Sequence, residues 1–332
     1  MRLPWLSWIL LASPLVGQAP PAETGAAETI TPRDIMRRVG IIADDSMLGR
    51  DTPSRGLELT AQYVASEFSR AGLRPAGGNG SYIQRFGITQ GTDTSQSRVE
   101  APNVVGVLEG SDPVLRREFV VYSAHIDHLG VTPGLPDSIN NGADDNASGV
   151  AGLLELAEAF GQPGARPKRS LLFLAPSGEE RGLLGSAYFM EHPTVPLESM
   201  VADINMDLIG RNWRDSVIAV GLEQSDLGTT LARVAQAHPE LHMTPIADRW
   251  PEERIFYRSD HYNFARKGVP ILFFTSGTHP DYHTPSDEPA RIDGEKESRL
   301  VRLLFHLGST IANQDARPKW TPESYRRIVE HR

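Results

Sequence analysis

The chain contains no cysteine. That excludes disulfide staples, a thiol nucleophile, a lipid carried on a cysteine, and sulfur ligands for a metal. Any metal centre has to be built from His, Asp and Glu. A basic excess is also missing. The formal charge is −9, the wrong sign for a nucleic-acid footprint, so no nucleic-acid partner is expected. Charges of both signs are interspersed, and no block of one sign runs longer than a few residues. No apolar run reaches the roughly 20 residues that a membrane-spanning helix needs. The nearest, Leu3–Val16, is interrupted by Pro4 and Pro14. It follows Arg2 and precedes the small residues Gly17 and Ala19, the pattern of a secretory signal peptide over 1–19. A secreted or periplasmic protein with no stable membrane anchor after signal removal is therefore expected. Several catalytic signatures are absent as well: G-x-S-x-G, H-E-x-x-H, the P-loop and G-x-G-x-x-G.

What is present is an ordinary globular composition, 39% hydrophobic and 23% charged over 332 residues, enough for a full core. Residues 20–31 are rich in Pro, Ala, Glu and Thr and are expected to form a flexible arm. A helix is predicted from Thr31-Pro32 to about Ile42, and another over Leu57–Ala71, closed by Gly72. Short β-branched runs follow at Asn103–Gly110, Glu118–His125, Ser170–Gly178, Val201–Asp207, Ser216–Gly221 and Val269–Gly277. Helical patterns separate several of them: Ala147–Phe160, Leu183–Glu191, Leu227–Ala237 and Asp293–Ala312. Continuous apolar strands alternating with helices predict an α/β fold, a three-layer α/β/α sandwich around a mostly parallel mixed sheet. One domain over 32–313 is expected, with a polar C-terminal extension over 314–332 that packs as a short helix.

The acids and histidines fall at the ends of these strands. His125, Asp127 and His128 follow one strand in "SAHIDHLG", Glu179 and Glu180 another in "APSGEERG". Asp207 ends a third, and His283 comes just after the strand that ends in "FFTSG". Ligands of open α/β sheets bind outside the carboxyl ends of strands, so these side chains converge on one mouth. Asp144 and Asp145 add two carboxylates at a helix start. Two histidines and three or four carboxylates can build a paired-metal hydrolase site, and that donor set suits zinc, with manganese or cobalt as substitutes.

The series "HIDHLG…GADDNASGVAGLLELAEAF…PKRSLLFLAPSGEERGLLGS…NMDLIGR…FYRSDHYNFARKGVPILFFTSG…DYHTPSD" resembles the secreted di-zinc aminopeptidases over roughly residues 100–312. Their superfamily includes bacterial leucyl-type aminopeptidases, glutamate carboxypeptidase II, the transferrin receptor ectodomain and the glutaminyl cyclases. The short interval between Asn103 and His125 leaves no room for the protease-associated insert of some members.

The resemblance implies two Zn²⁺ ions and peptide substrates with a free N-terminus. His125 and Asp207 would hold one ion, Glu180 and His283 the other, and Asp145 would bridge them. Glu179 would be the general base. Asp127 would orient His125, and Asp287 would orient His283. Ser259, Asp260 and His261 would form a supporting cluster. A cis peptide would follow the bridging aspartate. Tyr257 is the candidate for stabilising the oxyanion, one residue out of register with the family's tyrosine. Two other activities fit the same fold. One is a single-zinc glutaminyl cyclase, which needs only Asp145, Glu180 and His283. The other is a non-catalytic receptor-like ectodomain.

Overall fold

The computed structural model describes residues 21–90, 97–134 and 136–330; the expected signal peptide lies outside them. In chain order the elements are α1 (Pro21–Glu28), α2 (Pro32–Ile42), α3 (Arg55–Arg70), β1 (Arg74–Pro75), β2 (Ile83–Gln90), β3 (Ser97–Leu108), β4 (Phe119–Ser123), α4 (Gly149–Gly161), β5 (Ser170–Ala175), α5 (Leu184–Glu191), β6 (Met200–Met206), β7 (Ser216–Val220), α6 (Leu227–Ala237), β8 (Thr244–Ile246), α7 (His261–Ala265), β9 (Ile271–Thr275), α8 (Gly294–Asn313) and α9 (Pro322–Tyr325).

The strands form one mixed sheet in the order β1-β3-β5-β4-β6-β9-β7-β8, with β2 also on β3. Its centre, β5-β4-β6-β9, is parallel. The flanks turn antiparallel where β3 meets β5 and β7 meets β9. Alternation along the strands divides the core into two layers. Tyr122 and Phe173 face α2, α3, α4 and α8, in one cluster with Val39, Phe68, Leu156 and Leu304. Val121, Leu172 and Leu174 face the other way, onto Phe189 of α5 and Phe264 of α7. The predicted three-layer α/β/α sandwich is what forms.

One expectation is corrected, and one stretch of sheet was not predicted. The segment expected to be a flexible arm includes α1, and Ala26, Ala27 and Ile30 are buried against the main core. Composition misleads there because three small apolar contacts and a bond from Arg302 Nε to the Ile30 carbonyl (2.9 Å) suffice to dock it. The β2 strand and the first half of β3 have no counterpart among the predicted elements. Gln84, Phe86 and Ile88 are buried with Arg85 and Gly87 outside, so the period is two but half the side chains are polar. Beyond α8, Trp320 Nε1 donates to the Gly268 carbonyl (2.9 Å) and Ile328 enters the second core layer.

Helices α2, α3 and α4 are cross-linked by Arg38, which is 1% exposed. Its guanidinium meets Glu67 at 2.6 Å, Glu155 at 2.5 Å and Glu158 at 2.5 Å. Removing a buried cation leaves its buried partners uncompensated. Arg38→Ala is expected to destabilise the fold by about 3–5 kcal/mol, read as a lower urea midpoint; an unchanged midpoint would show that water reaches these glutamates.

Candidate metal centre

The carboxyl ends of the parallel strands form one mouth. His125 and Asp127 follow β4, Glu179 and Glu180 follow β5, Asp207 follows β6, and the loop after β9 carries His283. Between β4 and α4 the chain makes a tight irregular turn, Ala143–Ser148, in which Asp145 and Asn146 leave helical geometry. The expected cis peptide joins Asp145 to Asn146. Asn146 Oδ1 accepts from Gly149 N (2.9 Å) and so caps α4, while its amide donates to the Met206 carbonyl (2.9 Å). Capping thus anchors the turn to the end of β6 and leaves Asp145 free to face the mouth.

Asp145 stands between two histidines through different oxygens. Its Oδ1 lies 3.4 Å from His125 Nε2, and its Oδ2 lies 3.1 Å from His283 Nε2. His125 Nε2 is also 3.3 Å from Asp207 Oδ1, and His283 Nε2 is 3.2 Å from Glu180 Oε2. The five residues expected to hold metal therefore come together as two donor groups that share one carboxylate. His125, Asp145 and Asp207 offer ligand atoms within 4.8 Å of one another, as do His128, Asp145 and Glu180. His283 reaches its place from left-handed backbone, φ +58°, a region that His tolerates better than most residues.

The supporting partners fall partly where expected. Ser259 Oγ donates to Asp207 Oδ2 (2.9 Å) and receives Asn205 Nδ2 (3.1 Å). Asp127 faces His125 Nδ1 with its carbonyl at 3.2 Å and Oδ1 at 3.6 Å. Asp287 does not take the position expected of it. Its carboxylate accepts the backbone N–H groups of Asp144 and Asp145 at 3.0–3.1 Å. Asp144 is buried and turned away, accepting from Gly210 N at 2.6 Å and facing His279 Nε2 at 3.3 Å. His128, to which the sequence assigns no role beyond its place at a strand end, is fully buried. Its Nδ1 lies 2.9 Å from Glu180 Oε1 and so fixes that carboxylate.

Tyr257 is the misplaced candidate. It is 37% exposed, packs on Phe256 and Tyr262, and is absent from the lining of the cavity beside the site. Tyr282 lines that cavity instead, its ring stacked 3.8 Å from that of His283. Adjacency to His283 was the signal that could have found it. The cavity opens beside Asp145, Glu179 and Asp207, with Leu208, Trp250, Ile255 and Phe273 among its walls.

The electrostatics test whether cations fit. Burial, with Asp207, Asp260 and Glu180 close by, pushes the Glu179 carboxyl well above the usual carboxylate range, against the pull of His125. Burial also raises Asp207. Despite burial, the carboxylates around them pull His125 well above the ordinary imidazole value and His283 up to about 10. Asp145, despite its burial, is held well below the carboxylate range by both histidines. Without cations, protons on the histidines must balance the acids. Two divalent ions would supply that charge and free both imidazoles to ligate. The residues fit a zinc pair: all donors are N or O, and each imidazole already faces two carboxylate oxygens.

The sequence profile described as Peptidase family M28 matches residues 103–307, more than half of the chain. Aminopeptidase YwaD of Bacillus subtilis is 24% identical over 227 residues, 65% of this chain and 46% of that protein. A probable zinc metalloprotease of Pyricularia oryzae is 32% identical over 174 residues, 52% of this chain and 33% of that protein. The matched region thus spans less than half the length of these curated relatives. Among solved structures, the zinc aminopeptidase BSAP of Bacillus subtilis superposes with a TM-score of 0.68 at 15% identity, covering 87% of this chain and 97% of that one. Glutaminyl cyclase of Porphyromonas gingivalis gives 0.64 at 16% identity, covering 83% and 97%. At such identities these two structures bear on fold alone, and the profile match carries the assignment: the chain belongs to peptidase family M28.

Proposed function

We propose that the chain is a di-zinc aminopeptidase that hydrolyses the N-terminal residue from peptides, and that it is exported by the segment ahead of residue 20. The observation that carries this reading is the pair of donor groups sharing Asp145, with Glu179 beside them in the same cavity. His125 and Asp207 would hold one ion, Glu180 and His283 the other, with Asp145 between them. Bound there, two such ions would supply Lewis-acid polarisation of the scissile carbonyl and a lowered pKa for water. Glu179 takes a proton onto its carboxylate as that water attacks and returns it to the leaving amine. Tyr282, which lines this cavity, would donate its phenolic hydrogen to the developing oxyanion. Its own proton is held, since burial opposes ionisation. Leu208, Trp250, Ile255 and Phe273 in the cavity wall support an apolar N-terminal side chain.

The test is a panel of aminoacyl-nitroanilides, free dipeptides and N-terminal glutamine peptides, assayed before and after chelation, with zinc counted by elemental analysis. Leucyl and phenylalanyl substrates should lead, activity should vanish on chelation and return with zinc, and two ions per chain should be found. One ion per chain with cyclisation of N-terminal glutamine would overturn the reading in favour of a cyclase. In the same assay, Tyr282→Phe should lower kcat by up to about a hundredfold at unchanged zinc content; full activity would remove Tyr282 from the chemistry. Tyr257→Phe should be silent.

A further inference from the structure

The loop between α2 and α3, residues 49–52, lies ahead of the segment that matches the family profile. It carries none of the residues expected to act, yet it touches both loops of the site that come off β4 and β5. Arg50 is 1% exposed and bonds to no acidic side chain among the described residues. Its guanidinium donates to carbonyls instead: Ile126 (3.1 Å), Ile42 (3.0 Å), Asn141 (2.6 Å) and Gly142 (2.9 Å). Ile126 lies between His125 and Asp127, and Gly142 opens the turn that presents Asp145. A desolvated cation bonded to carbonyls is costly to bury unless anions lie near it. Asp145, Asp127, Asp287 and Glu180 are the anions that act on it through space. The backbone of the same loop adds two bonds, from His128 N to the Arg50 carbonyl (3.3 Å) and from Gly130 N to the Gly49 carbonyl (2.9 Å).

Thr52 makes the other half of the connection. Its hydroxyl, fully buried, donates to Asp127 Oδ2 at 2.8 Å and accepts from Gly178 N at 3.1 Å. The second oxygen of Asp127 accepts from Glu179 N at 3.2 Å. One hydroxyl therefore sets the carboxylate that faces His125 and, through it, the peptide that carries the proposed base. At the rim, Arg181 clasps Asp51 through both carboxylate oxygens, at 2.7 and 2.8 Å.

We infer that residues 49–52 are a positioning clamp: Thr52 orients Asp127 and the Glu179 peptide, and Arg50 holds the Asp127 loop and the Asp145 turn at a fixed separation. The consequence for catalysis rests on the di-zinc peptidase reading; the consequence for loop order does not.

The experiment uses the full chain with Thr52→Val, which keeps the shape and removes both bonds, and Thr52→Ser, which restores them. Amide hydrogen exchange of the zinc-free protein is the first readout. In Thr52→Val the Gly178 and Glu179 amides should exchange about tenfold faster or more, with helix α8 unchanged, and Thr52→Ser should return them to wild-type rates. Unchanged exchange at these two amides would overturn the clamp whatever the enzyme does. Zinc competition and kinetics are the second readout. Thr52→Val should weaken zinc binding or lower kcat by about 10–100-fold, with KM within about twofold. Wild-type zinc affinity together with wild-type kcat in the valine variant would also overturn the clamp. If the wild-type chain itself neither binds zinc nor cleaves any substrate, the functional reading fails while exchange still decides the clamp. Arg50→Lys keeps the charge but cannot span four carbonyls. It should speed exchange of the Ala143–Asp145 amides; protection at wild-type level there would sink the role given to Arg50.

Discussion

Glu179→Gln is expected to retain two zinc ions per chain and to lose about 10²–10⁴ in kcat. The substitution is nearly isosteric, and the Glu179 backbone bond to Asp127 needs no charge on the side chain. What disappears is a carboxylate of the cavity that is not committed to a proposed ligand position and can hold a proton near the reacting atoms. Its position suits a proton acceptor, because it lines the same cavity as Asp145 and Asp207. KM should stay near the wild-type value, because the loss falls on the transition state rather than on binding. Zinc analysis and nitroanilide kinetics on one preparation check this. A variant with full zinc and undiminished kcat would mean that another group accepts the proton.

Asp145→Ala should remove both ions together. Its two oxygens face different histidines, 3.4 Å from His125 and 3.1 Å from His283, so neither donor group keeps its full set without it. Zinc affinity is expected to fall by more than about a hundredfold at both positions, since loss of a mere supporting partner already costs roughly 10–100-fold. Activity should fall to background, and the melting temperature of the zinc-loaded protein should fall toward that of the chelated wild type, because ligand binding at a thousandfold over its Kd contributes about 4 kcal/mol. Elemental analysis with thermal melts reads both effects. Two ions retained per chain would refute the shared carboxylate.

The same turn shows where local sequence stops being informative. The pattern "ADDNASGVAGLLELAEAF" announces a helix start but does not say which aspartate faces the mouth. Asp145 does, because Asn146 ties the turn to Met206 and Asp287 takes the amides of both aspartates, and these partners lie 60 and 142 residues away in the chain. Asp144 is turned instead onto Gly210 N and His279.

What the sequence determined by itself was the layering and the donor set. Apolar runs of strand length alternating with helices leave few ways to bury both faces of a sheet, and carboxylates or histidines placed after those runs must emerge at one edge. His125, Glu179, Glu180, Asp207 and His283 were legible for that reason, whereas Asp145 was separated from Asp144 only by the resemblance to the di-zinc aminopeptidases. The tertiary structure alone decided which tyrosine lines the cavity, which acid supports which loop, and that Arg50 and Thr52 belong to the site. Periodicity reports which face of an element is buried, whereas an orienting hydrogen bond depends on where two distant loops meet. Thr52 and Gly178, 126 residues apart, meet only because the helices and the sheet have already packed.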